Sequence, residues 1–408
     1  MSADEVLGRS TYDFETVPQR RGTDSVKWDV AAGELPMWIA DMDFATAPEV
    51  IDAMKRKVET GIFGYEWPQE DYFSAVSEWY SKIHGVHIPT EWMIFSTGVV
   101  PAISSIVRRA SNVGDDVVVL TPVYNIFYNS ILNNGRHVRE VPLAYDSSLR
   151  RYSIDFTTLE SALSGATTTL MILCNPQNPT GKVWTRGELS HIASLCSRYG
   201  VTLLSDEIHG DLVLGDETGE GPDYTPISTL EPALAAGTIS VVSPSKTFNL
   251  AALHAATVIV PEEHLRALVN RGLNTDEVAE PNLLALPGSI AAYTHGEPWL
   301  AALKGQLRRN VAVVRDFLES QLPQVHLVEG ESTYLLWLDC ADVDLMSRAD
   351  IAHDSSKLAS LIRTSTGLIL SDGAQYRGNG KDFLRMNIAC PESLVREGLA
   401  RLKKAFVQ

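Results

Sequence analysis

An α/β fold is what this sequence predicts: a large α/β/α layer built on a mostly parallel sheet, with a smaller α+β domain beside it. Three observations predict it. Between about residues 93 and 260, short apolar runs alternate with amphipathic helical patterns. Runs such as Val117-Val118-Val119-Leu120 and Leu170-Met171-Ile172-Leu173 are apolar at every position, as strands covered on both faces must be. From about 297 a long amphipathic stretch, with Leu300, Leu303, Leu307, Val311, Val314, Phe317 and Leu318 on one face, leads into a shorter alternation of strands and helices.

In chain order, residues 1–47 show little periodicity but many anchoring residues, among them Lys27-Trp28-Asp29 and the tract from Leu35 to Phe44. They read as an extended arm that packs on, and belongs with, the smaller domain. A helix is expected from Pro48, a residue suited to a first turn, through Lys57, and Gly61 and Gly64 then break the pattern. A second helix, 71–81, carries Tyr72, Val76, Trp79 and Tyr80 at helical spacing. Strands are expected at 93–96, 116–120, 138–143, 169–174, 201–205, 239–243 and 255–260, giving a large domain over 48–296. Strands at 334–338 and 383–388 with helices at 356–365 and 391–406 make the smaller domain, 297–408.

The chain has 408 residues, 45% of them hydrophobic and 21% charged, enough for one large core and a second smaller one. Its formal charge of −17 argues against nucleic acid or anionic membranes as partners, since both call for basic patches. No apolar run reaches the length of a membrane span, and the N-terminus lacks a basic-then-apolar leader pattern, so a cytoplasmic protein is expected. Cys174, Cys196, Cys340 and Cys390 are widely spaced, which suggests neither a disulfide framework nor a zinc site. His84 and His87 lack a third ligand in the sequence and read as a surface turn; no metal is expected.

Chemistry concentrates just past the apolar runs. Lys246 follows the run 239–243 and is flanked by Ser245 and Thr247. A lysine desolvated there favours its free amine, the form that attacks a carbonyl. Asp206 ends the run 201–205, where a lone buried carboxylate is costly without a cationic partner. Gly98, Val99 and Val100 open a helical pattern whose first-turn amides can meet a phosphate, and Ser243 and Ser245 add hydroxyl donors. In folds of this type ligands bind beyond the carboxyl ends of the strands, where Asn178, Asp206 and Lys246 all fall.

Three ordered motifs, Asn175-Pro176-Gln177-Asn178-Pro179-Thr180-Gly181, Asp206-Glu207-Ile208-His209 and Ser243-Pro244-Ser245-Lys246, resemble elements of the pyridoxal-phosphate (PLP)-dependent aminotransferase superfamily, fold type I. The resemblance implies PLP anchored at Lys246, with Asp206 on the pyridine nitrogen and Asn178 donating to the ring oxygen. His209 falls where many members carry a tyrosine on that same oxygen; a plain strand-end histidine is the alternative. Tyr124 would stack on the ring and assist proton transfer. Arg385 would fork onto the substrate α-carboxylate, and Tyr65 would reach across a homodimer interface to the neighbour's phosphate. More finely, Lys27-Trp28-Asp29, the arm tract Met37 to Phe44, Phe63-Gly64-Tyr65, Gly98-Val99-Val100-Pro101 and Lys246-Thr247-Phe248-Asn249-Leu250 resemble the cystathionine β-lyase family of the MalY/PatB type. That implies elimination from an S-substituted cysteine to thiol, pyruvate and ammonia, with Lys246 removing the Cα proton and Ala40 of the arm among the substrate contacts. Transamination, decarboxylation, or a PLP-binding regulatory partner protein are the other outcomes within the superfamily. Departures stand at His254, where aminotransferases carry a phosphate-binding arginine, at Ala252 for a usual glycine, and at Asn125-Ile126 for an aromatic-proline pair.

Overall fold

The computed structural model describes residues 12–216 and 218–407, so residues 1–11 of the expected arm lie outside the described residues. Seven strands form the main sheet in the spatial order Met93–Ser96, Ala256–Ile259, Thr238–Val242, Thr202–Asp206, Thr168–Cys174, Asp116–Thr121 and His137–Pro142. Ala256–Ile259 runs antiparallel to both its neighbours, and every other pairing in this sheet is parallel. Strand periodicity divides the apolar runs between two cores. Val118, Leu120, Met171 and Leu173 enter one with Trp184 and Leu189, while Val117, Val119, Leu170 and Ile172 enter the other with Ile103 and Ile106. Each fully buried aliphatic side chain contributes about 1.5–3 kcal/mol, so the unbroken apolar runs are explained by two covered faces.

A four-stranded antiparallel sheet, His326–Leu327, Leu335–Asp339, Phe383–Asn387 and Ser371–Asp372 in spatial order, stands beside the helices Ser355–Thr366 and Glu392–Val407. The helix Glu297–Gln321 runs into this region as expected, opening at Pro298. The first helix, Pro48–Glu59, and the second, Glu70–Ile83, run one or two residues beyond their expected ends, and the strands deviate by a similar margin. Frayed ends carry no periodicity signal.

The arm is fastened by charge. Leu35–Pro36 pairs in parallel with Leu368–Ile369. Buried Lys27 places its amine 2.8 Å from Asp43, Arg20 bridges Asp41 and Asp43 at 2.7 Å each, and Trp28 Nε1 donates to Asp43 at 2.7 Å. Removing one partner of such a buried pair costs about 3–5 kcal/mol. Asn249 then clasps the same segment, donating to Met42 O (3.0 Å) and Phe44 O (2.9 Å) and accepting from Met42 N (3.0 Å). Asn387 donates to Ile39 O and Asp41 O, both at 2.7 Å. These ties fix the arm backbone at Ala40 over the carboxyl ends of the main strands.

One reading is corrected here. His84 does not sit in a surface turn: its side chain is nine-tenths buried and its Nε2 lies 2.8 Å from Asp211 Oδ1. The Gly85 that follows signals a helix end but says nothing of which way the preceding ring points. No group of metal-ligating side chains occurs among the described residues.

Candidate active site

Lys246 lies in a four-residue helix, Pro244–Thr247, that springs from the strand Thr238–Val242. Its Nζ donates to Ala40 O at 2.6 Å, so the arm supplies a carbonyl to the amine rather than a side chain. Burial pushes the ammonium down to about 8, against the opposing pull of Asp41 and Asp206. The free amine is therefore far more populated near neutrality than in an ordinary lysine.

Asp206 closes its strand, is buried, and its carboxylate accepts only the amide of Ile208 (3.1 Å) among the described residues. Burial first, and neighbouring Glu207 after it, push its carboxyl up to about 7. The Lys246 charge offsets this only in part, and no cation lies within ion-pair distance of Asp206 among the described residues, so the carboxylate is suited to a closer cation. Glu207, in contrast, is saturated. It accepts from Tyr224 OH (2.5 Å), Ser205 Oγ (2.8 Å), Ile227 N (3.0 Å) and Asn175 Nδ2 (3.3 Å).

Asn178 accepts from Arg385 Nη1 through Oδ1 at 3.1 Å, which leaves its amide nitrogen as the group to donate elsewhere. Arg385 is buried in the strand Phe383–Asn387; Nη2 donates to Trp38 O at 3.0 Å, the guanidinium lies 4.9 Å over the Tyr376 ring, and Nε has no partner. No carboxylate pairs with it among the described residues. A buried fork without an anion is the complement of a small carboxylate ligand.

His209 is buried with Nδ1 unpartnered, and burial, helped by Lys246 and Arg385, lowers it to about 3, so it is a neutral ring. Burial and the charge of Asp206 push the Tyr124 phenol up to about 12. The helix Val99–Ala110 starts at Gly98, whose φ of 140° suits glycine, and no side chain caps its first turn. Ser243 Oγ lies 2.7 Å from Ala255 O and 2.8 Å from Ser245 Oγ and accepts from Ser245 N (3.1 Å), so the two hydroxyls form one chain, and both serines face the same cavity.

These groups line one cavity of about 270 Å³, with Ala40, Val99, Val100, Tyr124, Asn178, Asp206, His209, Ser245 and Lys246 on its wall. Arg385 reaches it through Asn178. His254, in a left-handed conformation (φ 50°), also lines it, whereas Tyr65 does not: it is wholly exposed, beside exposed Ile62, Phe63 and Trp67. Sequence reasoning missed the Ala40 carbonyl on the amine, the Glu207 cluster and the Cys174 wall. Of these only Glu207 left a signal, a second carboxylate at a buried strand end that had to find donors.

The set fits PLP on its own chemistry. Asp206 wants a cation such as a protonated pyridine, the uncapped helix start wants an anion such as phosphate, and a free amine stands on the same wall.

Comparisons with known proteins agree. The model of the aminotransferase class I and II family matches residues 35–402. Cystathionine beta-lyase PatB of Bacillus subtilis is 37% identical over 401 residues, covering 97% of this chain and 100% of the relative. Protein MalY of Escherichia coli is 34% identical over 404 residues, covering 97% and 99%. Among solved structures, a PLP-bound C-S lyase from Staphylococcus hominis in complex with L-cycloserine superposes with a TM-score of 0.88 at 30% identity, covering 97% of this chain and 99% of that one.

Proposed function

The chain belongs to the aminotransferase class I and II family, and we propose that within it the protein is a PLP-dependent carbon-sulfur β-lyase that converts cystathionine or another S-substituted L-cysteine to a thiol, pyruvate and ammonia. One observation carries the reading: a depressed lysine amine, a buried carboxylate lacking a cation and a buried guanidinium lacking an anion converge on a single cavity region.

PLP supplies, when bound, an electrophilic carbonyl carbon and a ring that accepts the electron pair left at Cα. Lys246 would hold the cofactor, and its free amine is the base that would take the Cα proton. Asp206 keeps the ring nitrogen protonated. Asn178 is held by Arg385 so that its amide nitrogen can donate to the ring oxygen, while the first-turn amides at Val99 and Val100 and the Ser245 hydroxyl meet the phosphate. Arg385 would pair with the α-carboxylate, and Tyr124 and His209 line the cavity that would hold the ring. Loss of the Cα proton to Lys246 and of the thiolate from Cβ would leave the enamine of pyruvate, and one water would then hydrolyse its imine tautomer to pyruvate and ammonia.

Incubation of the loaded enzyme with cystathionine and a panel of S-alkyl cysteines is expected to release thiol, pyruvate and ammonia in equal amounts. Amino transfer to a keto acid without thiol, or carbon dioxide release, would replace elimination with another reaction at the same site. An unchanged cofactor spectrum with every amino acid would leave only a binding role.

We further propose a homodimer with shared sites in the cytoplasm. The wholly exposed Tyr65 and its apolar neighbours support the dimer, and four buried, unpaired cysteines support a reducing compartment. No helix among the described residues is long and apolar enough to cross a membrane. Tyr65→Phe is expected to weaken cofactor affinity, and mixing it with Lys246→Ala subunits to restore wild-type affinity at half the sites. Absence of restoration in a proven heterodimer, or a monomer by light scattering, would remove Tyr65 from its partner's site.

A further inference from the structure

We propose that Asp211 is the positioning residue for Lys246: it holds the hydroxyl of Thr247, the next residue along, and so sets the turn from which the amine enters the cavity. This deepens the reading of Lys246 as the cofactor's anchor and rests on it.

Asp211 lies on the short turn Gly210–Leu212, beyond the strand that carries Asp206, and is nine-tenths buried. Its Oδ1 accepts from Trp79 Nε1 (2.9 Å) and His84 Nε2 (2.8 Å), and its Oδ2 accepts from Thr247 Oγ1 (2.8 Å). Three donors from two other segments thus converge on one carboxylate, a number that a neutral amide oxygen serves less well. Burial pushes the Asp211 carboxyl up, but the hydrogen bond and charge of His84 and the bonds from Trp79 and Thr247 outweigh it and hold the group below its ordinary value. It is an anion at neutral pH, and its field reaches Lys304 and the phenols of Tyr80 and Tyr293.

The helix Pro244–Thr247 needs such a tie. Four residues cannot hold a helix by themselves. Its start is secured by Ser243, whose oxygen takes the Ser245 amide, and its far end closes through Phe248 N on Pro244 O at 2.9 Å. Beyond these, and besides the Lys246 amine itself on Ala40 O (2.6 Å), the Thr247 hydroxyl ties the helix to the rest of the fold by a side chain among the described residues, and Thr247 is wholly buried. Because Thr247 adjoins Lys246, tilting that hydroxyl away would redirect the lysine stem.

The test compares the loaded wild type with Thr247→Ser, which keeps the donor, and Thr247→Val, which keeps the shape and removes it. We expect Thr247→Val to bind PLP at least ~10-fold more weakly, about 1.4 kcal/mol, and to shift the pH midpoint of the cofactor's visible band. Thr247→Ser should stay within ~2-fold of wild type, as a retained charge-assisted hydrogen bond requires. Wild-type affinity and an unmoved midpoint in Thr247→Val, even with a lower melting temperature, would overturn the proposal. Should Thr247→Val not fold, amide exchange in the wild-type apoprotein decides. The amides of residues 245–248 should exchange as slowly as in the loaded form, and exchange at unstructured rates would show that the turn is not set in advance. A wild type that carries no cofactor on Lys246 after borohydride reduction would sink the anchor reading itself, a result separate from any of these.

Discussion

Lys246→Ala is expected to give a protein that still takes up PLP but lacks the visible band of a lysine-linked cofactor and turns over cysteine thioethers at least ~10³-fold more slowly. Binding persists because the helix start at Val99, Asp206 and Asn178 lie outside the substitution. Turnover collapses because two tasks end together, the covalent hold on the cofactor and removal of the Cα proton. No neighbour replaces the amine: His209 is held near 3 by burial, where it is a weak base, and the Tyr124 phenol is pushed up to about 12. Borohydride reduction followed by peptide mass analysis should find the cofactor's mass on the Lys246 peptide of the wild type and on no peptide of the variant. Lys246→Arg should behave like Lys246→Ala, since a guanidinium keeps the charge but offers no nucleophile at neutral pH. Full turnover in either variant would displace Lys246 from the chemistry.

Much of this site is legible in the sequence because its residues sit at element ends, where period and punctuation change together. Asp206 and Lys246 each stand just past a largely apolar run, and Gly98 stands between a strand and an amphipathic helix; the sheet order brings those three ends to one cavity. What stayed hidden depends on side-chain direction and on backbone. The Ala40 carbonyl on Lys246 involves no distinctive side chain, and the residues that place it, Lys27, Trp28, Asp43 and Asn249, read in sequence only as scattered anchors. His84 was misread because the glycine after it marks a helix end without fixing the ring's direction, and Asp211, its partner, is 127 positions away in the chain.

Asp206→Asn separates function from stability in opposite directions. In the loaded enzyme we expect turnover to fall by ~10²-fold or more, because a neutral amide no longer holds the ring nitrogen protonated and the ring loses its pull on the Cα electron pair. In the apoprotein the same change should stabilise the fold at alkaline pH. The carboxyl titrates at about 7 in the folded apoprotein against an ordinary value of 3.8, raised chiefly by burial. Below 3.8 the group is protonated in folded and unfolded chains alike and contributes nothing. Between that value and about 7 the unfolded chain ionises while the folded one resists, so stability is lost progressively as pH rises, and above about 7 the full penalty stands. At 1.36 kcal/mol per unit this amounts to ~4 kcal/mol. Denaturant midpoints of the two apoproteins at pH 5 and pH 8 should therefore diverge, with Asp206→Asn ahead at pH 8 and the gap narrowing at pH 5. Adding PLP should reverse the order, since a cation against Asp206 removes the penalty in the wild type and finds no counter-charge in the variant. Equal midpoints at both pH values, together with unchanged turnover, would show that the carboxylate faces no cation and takes no part in the reaction.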